Sequence, residues 1–185
     1  AGFAEEIIRI LGYDRLPSTL PLMPLTMGAL DQRQQLRRRL RNALIHFGYQ
    51  EAITYTLISE ALAKDAIMPL SEPIALAAPM SEERSRIRTS ILPSLLGSVS
   101  YNQNRSIKDI AFFELSTVYG KGEMEERLAI ATSGSLQKSR WQKLDIKADF
   151  YTMKGLLESI LSSIGFEGKR VMIKENTLDH ERFHP

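Results

Sequence analysis

Residues 109–135 restrict the fold more than any other stretch of the chain. DIAFFELSTVYG, 109–120, is dense in β-branched and aromatic residues and reads as a long strand; ERLAIATSGS, 126–135, reads as a second. KGEME, between them, supplies a hairpin connection, so the pair runs antiparallel. Three helical patterns surround this hairpin. Over 29–47, Leu36, Leu40, Leu44 and Phe47 recur at spacings of four, four and three, with Gln and Arg filling the other positions and Gly48 ending the run. Over 91–104, Leu92, Leu95, Leu96 and Val99 share one face, and Pro93 suits the first turn, where its missing N–H is of no consequence. Over 149–164, Phe150, Met153, Leu157, Ile160 and Ile164 mark a buried stripe between an Asp149 N-cap and a Gly165 C-cap.

The remaining segments are shorter. YQEAITYTLIS, 49–59, reads as a strand; a short helix is expected near Glu60–Ala66, an extended piece at PIALAAP and a last strand at KRVMIKE. Strands joined by hairpins and interrupted by helices, without strict βαβ alternation, predict an α+β domain: an antiparallel sheet flanked by helices.

The best domain boundary precedes all of this. Residues 3–12 read as a helix end closing at Gly12, and Pro17, Pro21 and Pro24 then make an extended linker. The expected organisation is residues 1–16 as the end of a preceding domain, 17–27 as a proline-rich linker and 28–185 as the core module. The first piece is too short to fold alone, so the chain is expected to be part of something longer.

The chemistry that the residues exclude is as informative. The chain has no cysteine, which removes disulfides, thiolate zinc sites and cysteine nucleophiles. It also lacks phosphate-binding glycine loops: Gly120 and Gly122 lie in a turn, and Ser133-Gly134-Ser135 is not a nucleophile elbow. His180, Glu181 and His184 spell H-E-x-x-H, the pattern in which two imidazoles one helical turn apart hold zinc. Pro185 disfavours helix at His184, and the preceding ENTLD is turn-like, so a metal-dependent hydrolase ranks last among the readings. Arg33, Arg37, Arg38, Arg39 and Arg41 crowd one segment. They read either as a solvated helix face or, for Arg33, Arg37, Arg38 and Arg41, as contacts to nucleic-acid phosphates. His46 suits a partner for the helix C-terminal dipole. No catalytic residue can be assigned.

Five ordered blocks carry a resemblance: EEIIRILGYDRLPSTLP, GYQEAITYTLIS, RTSILPSLLGSVSYNQNR, DIAFFELSTVY and DFYTMKGLLESIL, with RFHP after them. Together they resemble the bacterial phenylalanyl-tRNA synthetase beta-subunit family from about residue 5 to 185. The resemblance implies a fold like the class II synthetase catalytic domain. It also implies a tetramer of two alpha and two beta chains that joins phenylalanine to its tRNA with ATP and magnesium, in the cytoplasm. Activation chemistry would belong to the alpha chain, and this module would be non-catalytic and structural. In class II enzymes an arginine on a motif-2 strand clamps the ATP α-phosphate. FFELSTVYG is similar to that strand, and Gly120 stands in the arginine's place, with Lys121 next to it. The resemblance further assigns Glu5 and Glu6 to a family magnesium site. Gly2 replaces a further acid of that site, so weak binding is expected here.

Overall fold

The computed structural model describes residues 2–166; the expected strand KRVMIKE and the His180-Glu181-His184 motif lie outside the described residues. The chain divides into two units between Leu30 and Asp31.

The first unit is helix α1 (Gly2–Leu11), a 3-10 turn at Tyr13–Arg15 and an extended run of 16–30 with no regular structure. Gly12 ends α1 with a left-handed φ of 92°, donating its N–H to Ile8 O at 2.8 Å. No residue of α1 or the 3-10 turn is buried, and Leu20, Leu22 and Leu25 in the proline run are fully exposed.

The second unit begins at helix α2 (Gln32–His46), followed by β1 (Gln50–Glu51), β2 (Leu57–Ile58), α3 (Glu60–Lys64) and β3 (Arg86–Ile87). It continues with α4 (Leu92–Gln103), β4 (Ile110–Gly120), β5 (Glu123–Ser133), β6 (Ser135–Ser139), β7 (Leu144–Lys147) and α5 (Phe150–Ser163). β4 and β5 form the expected hairpin, in continuous register from Ile110↔Ser133 to Gly120↔Glu123. β1 adds to the other edge of β4 in parallel, so the main sheet has the order β1-β4-β5. β2–β3 and β6–β7 are separate antiparallel pairs.

Alternation along β4 decides which helix covers which face. Ile110, Phe112 and Val118, with Ala129 and Ala131 of β5, meet Ile91, Leu95 and Val99 at α4. The opposite face presents Ala111, Phe113, Leu128 and Ile130 to Leu40 and Leu44 of α2 and to Met153, Leu156 and Ile160 of α5. This is the α+β architecture read from the sequence, a sheet between helical layers, with one parallel pairing at its edge.

Helix ends follow the residues. Asp31 and Asp149 cap α2 and α5 with reciprocal capping boxes through Gln34 and Thr152, Pro93 sits in the first turn of α4, and Gly165 is left-handed beyond α5.

Four details differ from the sequence reading. The strand expected over 49–59 breaks at 52–56 into β1 and β2. The β6–β7 hairpin was not expected. On α2, Leu36 and Phe47 are exposed while Arg37, Leu40, Arg41 and Leu44 turn inward. On α5, Ile160 is buried as expected, but Leu156 is buried instead of Leu157, and Phe150 is exposed. Both helices pack on the sheet and on each other, so the buried stripe is set by two neighbours, which apolar spacing alone does not encode.

Candidate functional site

The most constrained chemistry in the molecule is a buried ion pair beside the broken strand. The β4 alternation that points Phe112 and Val118 at α4 also points Glu114 and Ser116 there. Arg88, just after β3, is fixed by its backbone, donating N–H to Thr56 O at 2.9 Å and accepting from Tyr119 N–H at 3.1 Å. Its guanidinium donates to Thr54 Oγ1 at 2.7 Å and Ser116 Oγ at 2.6 Å, and Nη1 lies 2.8 Å from Glu114 Oε1. Thr54 Oγ1 in turn donates to Glu114 Oε2 at 2.7 Å. The Arg88 and Glu114 side chains are only 1% and 2% exposed. The 2.8 Å approach is off the hydrogen-bond direction, and Arg88 Nε, Thr89 Oγ1 and Glu114 Oε1 lack hydrogen-bond partners.

No substrate can reach groups so enclosed; their effect is on the backbone around them. Drawing Thr54 inward by two hydrogen bonds leaves its neighbours pointing out, and Ile53 and Tyr55 are 88% and 69% exposed. The irregular 52–56 segment is held at its ends by the last rungs of the neighbouring ladders, Ala52 N–H to Phe113 O at 2.8 Å and Arg88 N–H to Thr56 O at 2.9 Å, and between them by the Thr54 side chain. Ile53 and Tyr55 line an open groove of about 540 Å³ with Leu57, Leu62, Pro93 and Tyr101. Two guanidinium groups stack on its tyrosines: Arg84 lies 3.7 Å above the Tyr55 ring and Arg105 3.4 Å above Tyr101.

Gly120, where the resemblance expects a nucleotide-clamping arginine to be replaced, packs tightly against Ser71. A Cβ there would lie 2.1 Å from Ser71 Oγ and 3.2 Å from Ser71 Cβ, and that hydroxyl accepts the Lys121 N–H at 3.0 Å. Lys121 itself is exposed in the turn.

The arginine cluster of α2 is largely committed within the fold. Arg33 donates to Glu126 at 2.6 Å, Arg37 pairs with the other oxygen of the same carboxylate, and Arg41 engages Glu51 through contacts of 2.8–2.9 Å. The hydrogen bond from Arg33, followed by the charges of both arginines, holds the Glu126 carboxyl below its ordinary range despite desolvation. The bond to Glu51 raises Arg41. Arg38 and Arg39 remain exposed. His46 Nδ1 lies 2.6 Å from Asn42 O, at the end of the helix as expected.

On α1, Glu6 is engaged by Arg9 at 2.7 Å and Glu5 is exposed. Among the described residues no group of three or more His, Asp or Glu is placed to hold a metal ion.

Sequence reasoning missed the Arg88–Glu114 pair. The signal was a carboxylate inside FFELS, an otherwise apolar strand bracketed by apolar helices, where a charge persists only with a buried partner.

The chain has clear relatives. The family described as "Phenylalanyl tRNA synthetase beta chain CLM domain" matches residues 16–185. A phenylalanine–tRNA ligase beta subunit from Geobacillus kaustophilus is 42% identical over 171 residues, 89% of this chain and 21% of that protein. One from Listeria innocua is 36% identical over 191 residues, 100% of this chain and 23% of that protein. The chain thus spans less than a quarter of the length of these relatives. In fold it is similar to a pyrrolysyl-tRNA synthetase of Desulfitobacterium hafniense, with a TM-score of 0.55 at 20% identity over 74% of this chain and 48% of that one. A histidine–tRNA ligase subunit of Alicyclobacillus acidocaldarius gives a TM-score of 0.50 at 15% identity, over 81% and 44%.

Proposed function

Because the chain belongs to the phenylalanyl-tRNA synthetase beta chain family, we propose that it is an assembly module that docks the catalytic alpha chain. Its class II fold is non-catalytic in this reading: Gly120 offers no side chain to clamp a nucleotide, and Ser71 packs against it. The parent protein would act in the cytoplasm as a tetramer of two alpha and two beta chains, attaching phenylalanine to its tRNA with ATP and magnesium. The chemistry would be performed on the alpha chain.

One observation carries this reading: Ile53, Tyr55 and Tyr101 form an exposed surface of large side chains, and Thr54, between the first two, is anchored from behind by Arg88 and Glu114. Large aromatic and branched side chains buried at an interface contribute about 1.5–3 kcal/mol each, and such anchors dominate protein–protein affinity. Preorganisation matters because a surface already in its bound geometry loses little entropy on docking. The test is sedimentation velocity of the chain mixed with the purified alpha subunit. The parent should form a faster-sedimenting species, and Ile53→Ser with Tyr55→Ser should weaken it at least tenfold. Undiminished association of the double variant overturns the reading.

A further inference from the structure

The β6–β7 ribbon stands apart from the main sheet and has no place in the assembly reading. It is anchored at its base. Asp109 accepts from Ser135 N–H at 2.8 Å and from Lys138 Nζ at 2.6 Å, and Ala148 N–H donates to Gly134 O at 2.9 Å. Gly134 is left-handed, with φ 75°, and a Cβ there would lie 2.4 Å from Lys108 O, so the ribbon leaves the sheet at a fixed corner.

Its tip is unlike the rest of the surface. Arg140, Trp141, Gln142 and Lys143 form the turn, and Trp141, the single tryptophan of the chain, is 85% exposed. Lys143 holds a left-handed φ of 54°, a position where glycine or asparagine is cheaper. The turn thus keeps a cation where a neutral residue would relieve strain. Ser135–Lys147 carries four cations against one acid, Asp145. Lys138 and Lys147 pair with Asp109 and Asp145; Arg140 and Lys143 have no ion pair among the described residues.

We propose that this tip is a docking point for single-stranded RNA, with an unstacked base on the Trp141 indole and flanking phosphates on Arg140 and Lys143. An exposed indole between unpaired cations on a preorganised two-stranded ribbon matches what a flexible polyanion with aromatic bases requires. Every base offers a π-face, and each neutralised phosphate releases condensed counterions. A protein partner would favour a broader apolar patch around the indole, whereas the residues flanking it, Arg140 and Gln142, are polar and exposed.

The test uses the full-length beta subunit assembled with its alpha chain, and two probes: a fluorescein-labelled 12-nucleotide single-stranded RNA and a phenylalanine tRNA transcript. Trp141→Ala is expected to weaken binding of the 12-mer by at least about fivefold, while Trp141→Phe retains it. The pair Arg140→Ala and Lys143→Ala is expected to lower the slope of log Kd against log salt by about 1.4, at roughly 0.7 per lost phosphate contact. For the tRNA the same variants shift affinity in the same direction. Unchanged affinity and salt slope in all variants overturn the proposal. So does weaker subunit assembly with unchanged RNA titrations, which assigns the tip to a protein contact. The assembly reading is tested by other residues, so either can fail alone.

Discussion

Replacing Glu114 by Gln should destabilise the chain far more than its small change in shape suggests. The amide keeps the volume and can still accept from Thr54, but it leaves the Arg88 guanidinium, 1% exposed, without a counter-charge. Removing one partner of a buried pair typically costs about 3–5 kcal/mol, since the remaining charge stays desolvated. For a unit of this size each kcal/mol lowers the melting temperature by about 2–4 °C, so a drop on the order of 10 °C is expected. Thr54→Val deletes only a neutral hydroxyl and should cost about 1–2 kcal/mol. Arg88→Met should be as damaging as Glu114→Gln, yet the double variant Arg88→Met with Glu114→Gln should be at least about 2 kcal/mol less destabilised than the sum of the singles. Urea denaturation followed by far-UV circular dichroism reads all four. Single variants within 1 kcal/mol of the parent, or an additive double variant, would refute the view that a desolvated, mutually dependent pair holds the 52–56 segment.

Three further outcomes are expected. Gly120→Ala should cost about 1–3 kcal/mol by collision with Ser71, Ser71→Gly should restore most of it, and Gly120→Arg should yield no amino-acid activation in a pyrophosphate-exchange assay. Glu126, held below the ordinary carboxylate value chiefly by Arg33, contributes stability above pH of about 4.3 that is lost as pH falls through its lowered folded value. Glu126→Gln should flatten that acid limb in pH-dependent melts and cost about 1 kcal/mol at neutral pH. Burial raises the Tyr49 phenol, with the Thr132 hydrogen bond opposing, so its contribution is present below about pH 10 and lost as pH climbs through the raised value. Tyr49→Phe should remove the 2.9 Å bond to Thr132, costing about 1 kcal/mol by urea denaturation, and reduce the alkaline loss.

Where one residue type dominates the local physics, the fold was legible in the sequence. The β4–β5 hairpin, α4 with Pro93, and the Asp149-to-Gly165 limits of α5 follow from β-branching, ring geometry and capping, and all depend on neighbours within a few positions. The losses came where long-range contacts override local pattern. YQEAITYTLIS is rich in β-branched and aromatic residues like a strand, but Arg88, 34 positions beyond Thr54, draws the middle of the segment inward. The α2 arginines look solvated until β5 and β1 bring Glu126 and Glu51 opposite them. Trp141 was passed over because SLQKSRWQKLDIK carries too many charges to read as two strands. Family membership was legible because five blocks keep their order, whereas the exposure of Ile53 and Tyr55 depends on which side of residue 54 faces solvent.

The parallel edge of the sheet has a consequence in time. β4 and β5 are closed by two residues, Lys121 and Gly122, and such hairpins form in about 1–10 μs. β1 reaches β4 only across a separation of roughly 60 residues, Gln50↔Phe112, which adds about 3 kcal/mol of closure entropy over the hairpin. During synthesis at about 5–20 residues per second, α2 and β1 therefore emerge several seconds before the strand they must pair with exists. Leu40 and Leu44 wait uncovered through that interval. Substitutions in β1 should accelerate unfolding and leave refolding nearly unchanged, while substitutions at the β4–β5 turn should slow refolding. Within this unit, the segment synthesised first is the last to find its place.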